Sequence, residues 1–180
     1  AQDLLDQAVA AMDSVIFSLH PPEIPEGGLL PALHRIMATL GANSGVKCTL
    51  SVSGAGAKLT REVEKTVFRV VQEALNNVRK HSNASNVNIS LLFDERYLMV
   101  KVQDDGCGFD TTRTLSGIPS RIGISSMAER AASLGGVCNV RSAPGQGTCV
   151  ELQLPIGRSK RSAKPQTRTI GGQRDRSINV

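Results

Sequence analysis

The sequence predicts an α+β fold, and three observations carry that expectation. Two stretches, about 28–40 and 61–81, repeat apolar residues at three-and-four spacing, the period of a helix with one buried side. Two others, about 86–93 and 97–103, alternate apolar and polar residues around the tight hairpin Asp94-Glu95-Arg96. A third helical stretch then leads into a second pair of short strands, and the apolar pattern stops near Pro155.

Taken in order, Leu4, Leu5, Ala8, Met12, Val15, Ile16 and Leu19 form one apolar stripe along a helix that Pro21 and Pro22 stop. The stripe starts almost at residue 1 with no cap before it, so the chain is expected to be a piece that begins inside a longer helix. A second helix starts near Gly28, uses Leu29, Leu33, Ile36, Met37 and Leu40, and is expected to end at Gly41 through a left-handed cap. Val46, Cys48, Leu50 and Val52 alternate as a half-buried strand, and Gly54-Ala55-Gly56-Ala57 makes a loop. Its glycines resemble a phosphate loop only loosely, because no GK[ST] follows.

Thr60 is the expected N-cap of the strongest helix, about 61–81, with Val63, Val67, Val70, Val71, Ala74, Leu75 and Val78 on the core side. After the hairpin a Gly-punctuated stretch runs to about 122. A helix is expected from Gly123 to Leu134, closed by Gly135-Gly136. Strands near 137–142 and 147–154 flank the turn Ala143-Pro144-Gly145-Gln146-Gly147. Beyond Pro155 the chain has no apolar period and reads as a disordered tail.

At 180 residues one domain with flanking pieces is the default. No run approaches the roughly 20 apolar residues of a membrane span, and the N-terminus lacks a secretory pattern, so a soluble, cytoplasmic piece is expected. The net charge of +5 is misleading: from Gly157 onward seven Lys and Arg face one Asp, which puts +6 in that tail and leaves −1 for the rest. With no Trp, one Tyr and four Phe there is also little material for base stacking, and no nucleic-acid partner is expected. Cys48, Cys107, Cys138 and Cys149 show no metal-ligand spacing and read as reduced thiols.

Glu73 and Asn77, four apart, project from one face of the long helix, and Lys80 and His81 continue that side. An acid, an amide and a cation suit an anionic ligand bridged by a hard cation such as Mg²⁺, although a solvated helix face has the same composition. Asp104-Asp105-Gly106-Cys107-Gly108-Phe109 follows a strand end. Its glycines would let backbone approach a planar ligand, and a carboxylate before them could accept from an exocyclic amino group; a plain turn is the alternative. Gly123 opens a helix, either as an anion site or as an ordinary helix entry. Gly145-Gln146-Gly147-Thr148 offers a hydroxyl beside a flexible turn, as a simple hairpin also would.

Together these runs resemble a known family, the sensor histidine kinases of the nitrate-sensor subfamily that pair with NarL-type response regulators. Arg69 to Ala84 is similar to their N box, Asp104 to Phe109 to their G1 box, Gly123 to Gly136 to the helix after their ATP lid, and Ser142 to Pro155 to their terminal hairpin. The likeness covers about residues 15–155. It implies the Bergerat (GHKL) ATP-binding fold, an α+β two-layer sandwich whose mixed β-sheet carries helices on one face. It implies a division into the end of a dimerisation and phosphotransfer helix (1–27), the ATP-binding catalytic domain (28–156) and the basic tail (157–180).

By the same resemblance the cofactors are ATP and Mg²⁺. Asn77 is implied to coordinate the metal with Glu73 nearby, both counted as catalytic, and Lys80 and His81 to face the phosphates. Asp104 is implied to read the adenine amino group, Gly106 and Gly108 to shape the base pocket, Gly123 to bring helix-start amides to the phosphates, and Thr148 to support the base or phosphate side. Residues 110–122 correspond to the lid, with Arg121, Ser126 and Ala128 departing from the commonest pattern. His20, His34 and His81 are the three histidines, and none is followed by Asp or Glu as a phosphoacceptor would be.

The implied function is therefore transfer of the ATP γ-phosphoryl to a histidine outside this chain. The implied partners are the dimerisation and phosphoacceptor domain of the same homodimeric kinase and a NarL-type regulator; the parent protein is either free or anchored in the inner membrane. An ATPase or anti-sigma-factor-like serine kinase on the same fold, with Glu73 as general base, and a non-catalytic nucleotide-binding regulatory module are the alternatives.

Overall fold

The structure, a computed structural model, describes residues 24, 27–55, 58–111 and 120–157. The expected helix at 4–19, Gly56 and Ala57, residues 112–119 of the expected lid and the tail from 158 lie outside the described residues. The element order is α1 (Leu29–Ser44), β1 (Lys47–Gly54), α2 (Arg61–Asn77) continuing into a π-turn (Val78–Ser82), β2 (Asn86–Phe93), β3 (Tyr97–Asp104), α3 (Ser120–Ser133), β4 (Val137–Ser142) and β5 (Thr148–Pro155).

The five strands form one sheet in the order β1-β2-β3-β5-β4. β1 runs parallel to β2 and every other pair is antiparallel, so the sheet is mixed. The parallel pair needs a crossover, and α2 supplies it. Along β3, Leu98, Val100, Val102 and Asp104 are buried while the residues between them are exposed. Val87, Ile89 and Leu91 of β2 and Val150, Leu152 and Leu154 of β5 share that buried face. Leu33 of α1, Val67, Phe68 and Val71 of α2, and Met127 and Ala131 of α3 belong to the same core. Each such aliphatic side chain contributes about 1.5–3 kcal/mol on burial, so the period of two in the strands fixes which face the helices cover. Thr49, Asn88, Lys101, Gln103, Asn139 and Arg141 are exposed on the strands between these positions. The result is the expected α+β two-layer arrangement.

Local chemistry explains the element ends. Thr60 caps α2, its Oγ1 accepting from the Val63 N–H at 3.3 Å, with Glu62 and Glu64 in the first turn where the helix dipole favours acids. α3 ends as expected at Gly135-Gly136: the Gly136 N–H reaches the Ala131 carbonyl and the Gly135 N–H that of Ala132, both at 2.9 Å, around a left-handed Gly135.

Four boundaries differ from the expectation. α1 runs one turn past Gly41 and is closed by Gly45, at φ 70, whose N–H bonds the Gly41 carbonyl. Gly41 instead lies inside the helix, where the Val46 carbonyl would be 3.3 Å from an added Cβ. β1 reaches Gly54, and Val52 is 47 % exposed near its end, so the alternation fails there. The long helix stops being α-helical at Asn77, and its last five residues open into a π-turn that ends on left-handed Asn83. α3 begins at Ser120 rather than Gly123. Among the described residues, no helix is long and apolar enough to cross a membrane.

Candidate functional site

The C-terminal end of α2 carries Glu73 and Asn77, one turn apart and both half-buried. The π-turn that follows widens the helix at once, a feature often found where a helix serves a site. It presents Lys80 and His81 at the surface. The His81 imidazole has its pKa lowered, first by the partial desolvation of its ring and then by the charge of Lys80.

Glu73 is also where α3 meets α2. A Cβ at Gly123 would fall 2.1 Å from Glu73 Oε1, so the carboxylate occupies the space a side chain there would need. Gly123 is the fourth residue of its helix, not its first. It therefore lies in the first turn, where helix N–H groups lack intrahelical partners, and the Glu73 carboxylate leaves no room for a side chain there.

Asp104 ends β3 on the helix-covered side and is 6 % exposed. Its Oδ1 accepts from the Gly106 N–H at 2.9 Å. Burial pushes its pKa up, and hydrogen bonds from the Gly106 and Thr148 backbones offset part of that rise. Asp105, beside it, is exposed and differently employed. Its carboxylate accepts from the Ser85 and Asn86 N–H groups at 2.8 Å and from Asn86 Nδ2 at 2.7 Å. Those bonds, the Asn86 side chain first, hold its pKa below the usual carboxylate range. Asp105 braces the entry to β2, and Asp104 is the buried acid of the pair, tied to the Gly106 N–H.

The glycines of this loop lie against the chain's own backbone. Gly106 lies so close to the π-turn that a Cβ would be 2.2 Å from the Ser82 carbonyl oxygen and 2.6 Å from Ser82 Cβ. Gly108, at φ 59, packs on the Ala143 carbonyl, and Gly147, at φ 67, would place a Cβ 2.1 Å from the Asp104 carbonyl oxygen. The loop after β3 is thus clasped between the end of α2 and the β4–β5 turn. Ser142 completes the clasp: its Oγ donates to the Gly147 carbonyl at 2.7 Å, accepts from the Phe109 N–H at 2.9 Å and lies 3.2 Å from the half-buried Thr148 Oγ1.

Ser82, Ser142 and Gly147 were not among the site residues expected from the sequence, although Ser142 and Gly147 lie in the terminal hairpin read there. Only the spacing of Gly147 from Gly145 hinted at a role, as one turn glycine among two.

Asn77 precedes Ser82 by five residues, and Ser82 touches the loop that follows Asp104. The end of α2 that carries Glu73 and Asn77 is therefore packed, through Ser82, against the loop that follows Asp104. Asn77 and Glu73 offer hard oxygen donors that fit Mg²⁺. Among the described residues no three His, Cys, Asp or Glu side chains gather as a metal cage, and a cation of this type takes most of its shell from phosphate and water.

Residues 62–158 match the family model for the histidine kinase-, DNA gyrase B- and HSP90-like ATPases. The chain is 31% identical over 153 residues to the signal transduction histidine-protein kinase/phosphatase DegS of Brevibacillus brevis, covering 85% of this chain and 39% of that protein. It is 35% identical over 162 residues to the sensor histidine kinase YhcY of Bacillus subtilis, covering 90% and 41%. The chain thus spans about two-fifths of the length of these curated relatives. Among solved structures, the histidine kinase AdeS of Acinetobacter baumannii superposes with a TM-score of 0.59 at 14% identity, over 72% of this chain and 66% of that one. The histidine kinase domain of the Erythrobacter litoralis EL346 blue-light activated kinase gives 0.54 at 22%, over 72% and 61%. At such identities these two show a shared fold.

Proposed function

The chain belongs to the histidine kinase-, DNA gyrase B- and HSP90-like ATPase family, and from that premise we propose that it is the ATP-binding catalytic domain of a sensor histidine kinase acting on a histidine outside this chain. The observation that carries the reading is the pairing of a buried acid, Asp104, with the Asn77 helix end through a directly packed loop. A carboxylate kept out of water with a raised pKa is costly to the fold, and this cost supports a binding role for it.

In this reading Asp104 accepts a hydrogen bond from the adenine amino group, and Gly106 and Gly108 hold the loop that presents it. Asn77, with Glu73 nearby, holds Mg²⁺, which neutralises charge on the phosphates when bound. Lys80 and His81 face the phosphate side, Thr148 supports the base or phosphate side, and the start of α3 around Gly123 lies by the phosphates. Phosphoryl transfer asks the protein mainly for positioning and charge neutralisation. An imidazole nitrogen of the partner helix attacks the γ-phosphorus in line, the bond to the bridging oxygen breaks, and ADP leaves.

The acceptor belongs to the dimerisation domain of the same kinase, a homodimer when complete, and the phosphoryl group then passes to an aspartate of a response regulator, here proposed to be NarL-type. Residues 1–27 are read as the end of the dimerisation helix and its junction, 28–156 as the catalytic domain and 157–180 as a basic tail. The domain is proposed to work in the cytoplasm.

The test is Asn77→Ala. The variant should lose at least 90 % of MgATP-dependent labelling of a supplied dimerisation domain, on the order of the tenfold step that one lost charge-assisted contact represents. Labelling at the normal rate contradicts the metal assignment, and phosphate release without any partner favours the ATPase alternative.

A further inference from the structure

Among the described residues, two polar side chains are buried, Asp104 and Ser82. The mechanism above uses the first and not the second. A buried hydroxyl persists when its bonds are made, and those of Ser82 run in an informative direction. Its Oγ donates to the Val78 carbonyl at 3.0 Å and accepts from the Ala84 N–H at 3.1 Å, which closes the π-turn on itself. Its backbone carbonyl accepts from the Cys107 N–H at 2.7 Å, and Cys107 Sγ reaches the His81 carbonyl at 3.2 Å. A Cβ at Gly106 would strike Ser82 Oγ's own residue at its carbonyl oxygen and Cβ, so backbone lies directly on backbone.

One residue therefore joins two separate pieces of the site. Upstream, the closed turn sets where Asn77, Lys80 and His81 stand. Downstream, the Gly106-Cys107 loop sets where Asp104 stands, because Asp104 Oδ1 is tied to the Gly106 N–H. The Cys107 thiol contact to the His81 carbonyl lies next to the Ser82 bond and ties the π-turn to the same loop. An α-helical continuation would send the chain past Ser82 by a different angle, and the widened turn is what brings its carbonyl to Cys107.

We infer that Ser82 is a positioning residue that sets the spacing between the phosphate-side group on α2 and the adenine-side acid after β3, so that one nucleotide satisfies both at once. The inference rests on the nucleotide reading of the site and deepens it. Its physical content is preorganisation: with the hydroxyl present the two ends are held at the ligand's length before it binds, and without it that ordering is done at the expense of affinity. A ligand that touches one end gains nothing from the spacing, whereas a ligand that spans both does.

The experiment compares MgATP, measured by calorimetry, with adenosine, measured by NMR titration, on the 180-residue chain and its Ser82→Ala variant. The expected result is MgATP binding weakened about tenfold, equal to about 1.4 kcal/mol, with adenosine affinity within about twofold of the parent. The penalty of Asn77→Ala on MgATP should also shrink in the Ser82→Ala background, because the two ends no longer act together. Equal weakening of both ligands overturns the inference in favour of a purely structural role, and so does unchanged MgATP affinity. A parent chain that fails to bind MgATP overturns the nucleotide reading and this inference with it, whereas a parent that binds and a variant that matches it overturn the inference alone. If Ser82→Ala melts below the assay temperature, Ser82→Cys, which keeps a weaker donor, carries the same comparison with the same outcomes.

Discussion

Changing Asp104 to Asn should separate function from stability in opposite directions. The carboxylate is 6 % exposed and its pKa is raised mainly by burial, so its charged form is penalised in the folded chain. The sign follows from linkage. A folded pKa above the unfolded one means stability that is fully present below about 3.8 and falls as the pH rises through the folded value, leaving a deficit at pH 7. An amide in the same place carries no charge, and its oxygen still accepts from the Gly106 N–H. The nucleotide-free variant should therefore melt no lower than the parent at pH 7, and the difference should narrow toward pH 4. A charge-assisted hydrogen bond is worth about 1.5–3 kcal/mol, so loss of the bond to the adenine amino group should weaken ATP binding by about one to two powers of ten. Calorimetry with ATP and thermal melts of the free chain read the two effects independently. Unchanged ATP affinity refutes the adenine contact, and weaker binding together with a lower melting temperature means that Asp104 is structural.

Two further perturbations follow from the same geometry. Gly147→Ala adds a Cβ 2.1 Å from the Asp104 carbonyl oxygen at a φ of 67, so it should destabilise the domain by about 1–3 kcal/mol or more and displace Asp104, read by denaturant unfolding alongside nucleotide affinity; a stable variant with normal affinity would show that the turn and the loop move independently. His81 has a lowered pKa, so its stability contribution is lost as the pH falls through the ordinary value near 6.5. Between pH 7.5 and 5.5 the parent should lose stability relative to His81→Gln, and parallel melting curves across that range contradict the desolvation of the ring.

Much of the fold was legible because two periods dominate it. The three-and-four spacing from Val63 to Leu75 and the alternation of Leu98, Val100 and Val102 each leave one buried face, and Thr60 and Gly135-Gly136 are local signals that need no tertiary context. The boundaries that moved depend on contacts between distant segments. Gly41 looked like a stop because the apolar stripe ends at Leu40, yet the helix continues until Gly45 can take the left-handed turn. Nothing in the run Val78–Ser82 announces a π-turn, and the Cys107 N–H that bonds the Ser82 carbonyl comes from far along the chain. The site was legible as residue types and not as contacts. The alternation of Leu98, Val100 and Val102 continues inward to Asp104, but nothing in the sequence shows that Asp105 braces Asn86. The same applies to Gly106, Gly108 and Gly147, whose missing side chains make room for the chain's own backbone.

The central claim is that Asn77 and Asp104 hold opposite ends of one nucleotide. It is tested most directly by a crystal structure of the chain with Mg²⁺ and a non-hydrolysable ATP analogue. The adenine amino group should lie within about 3 Å of the Asp104 carboxylate, with the metal on the Asn77 side-chain oxygen of the same molecule. A base bound away from Asp104, or a metal whose shell excludes Asn77, contradicts it.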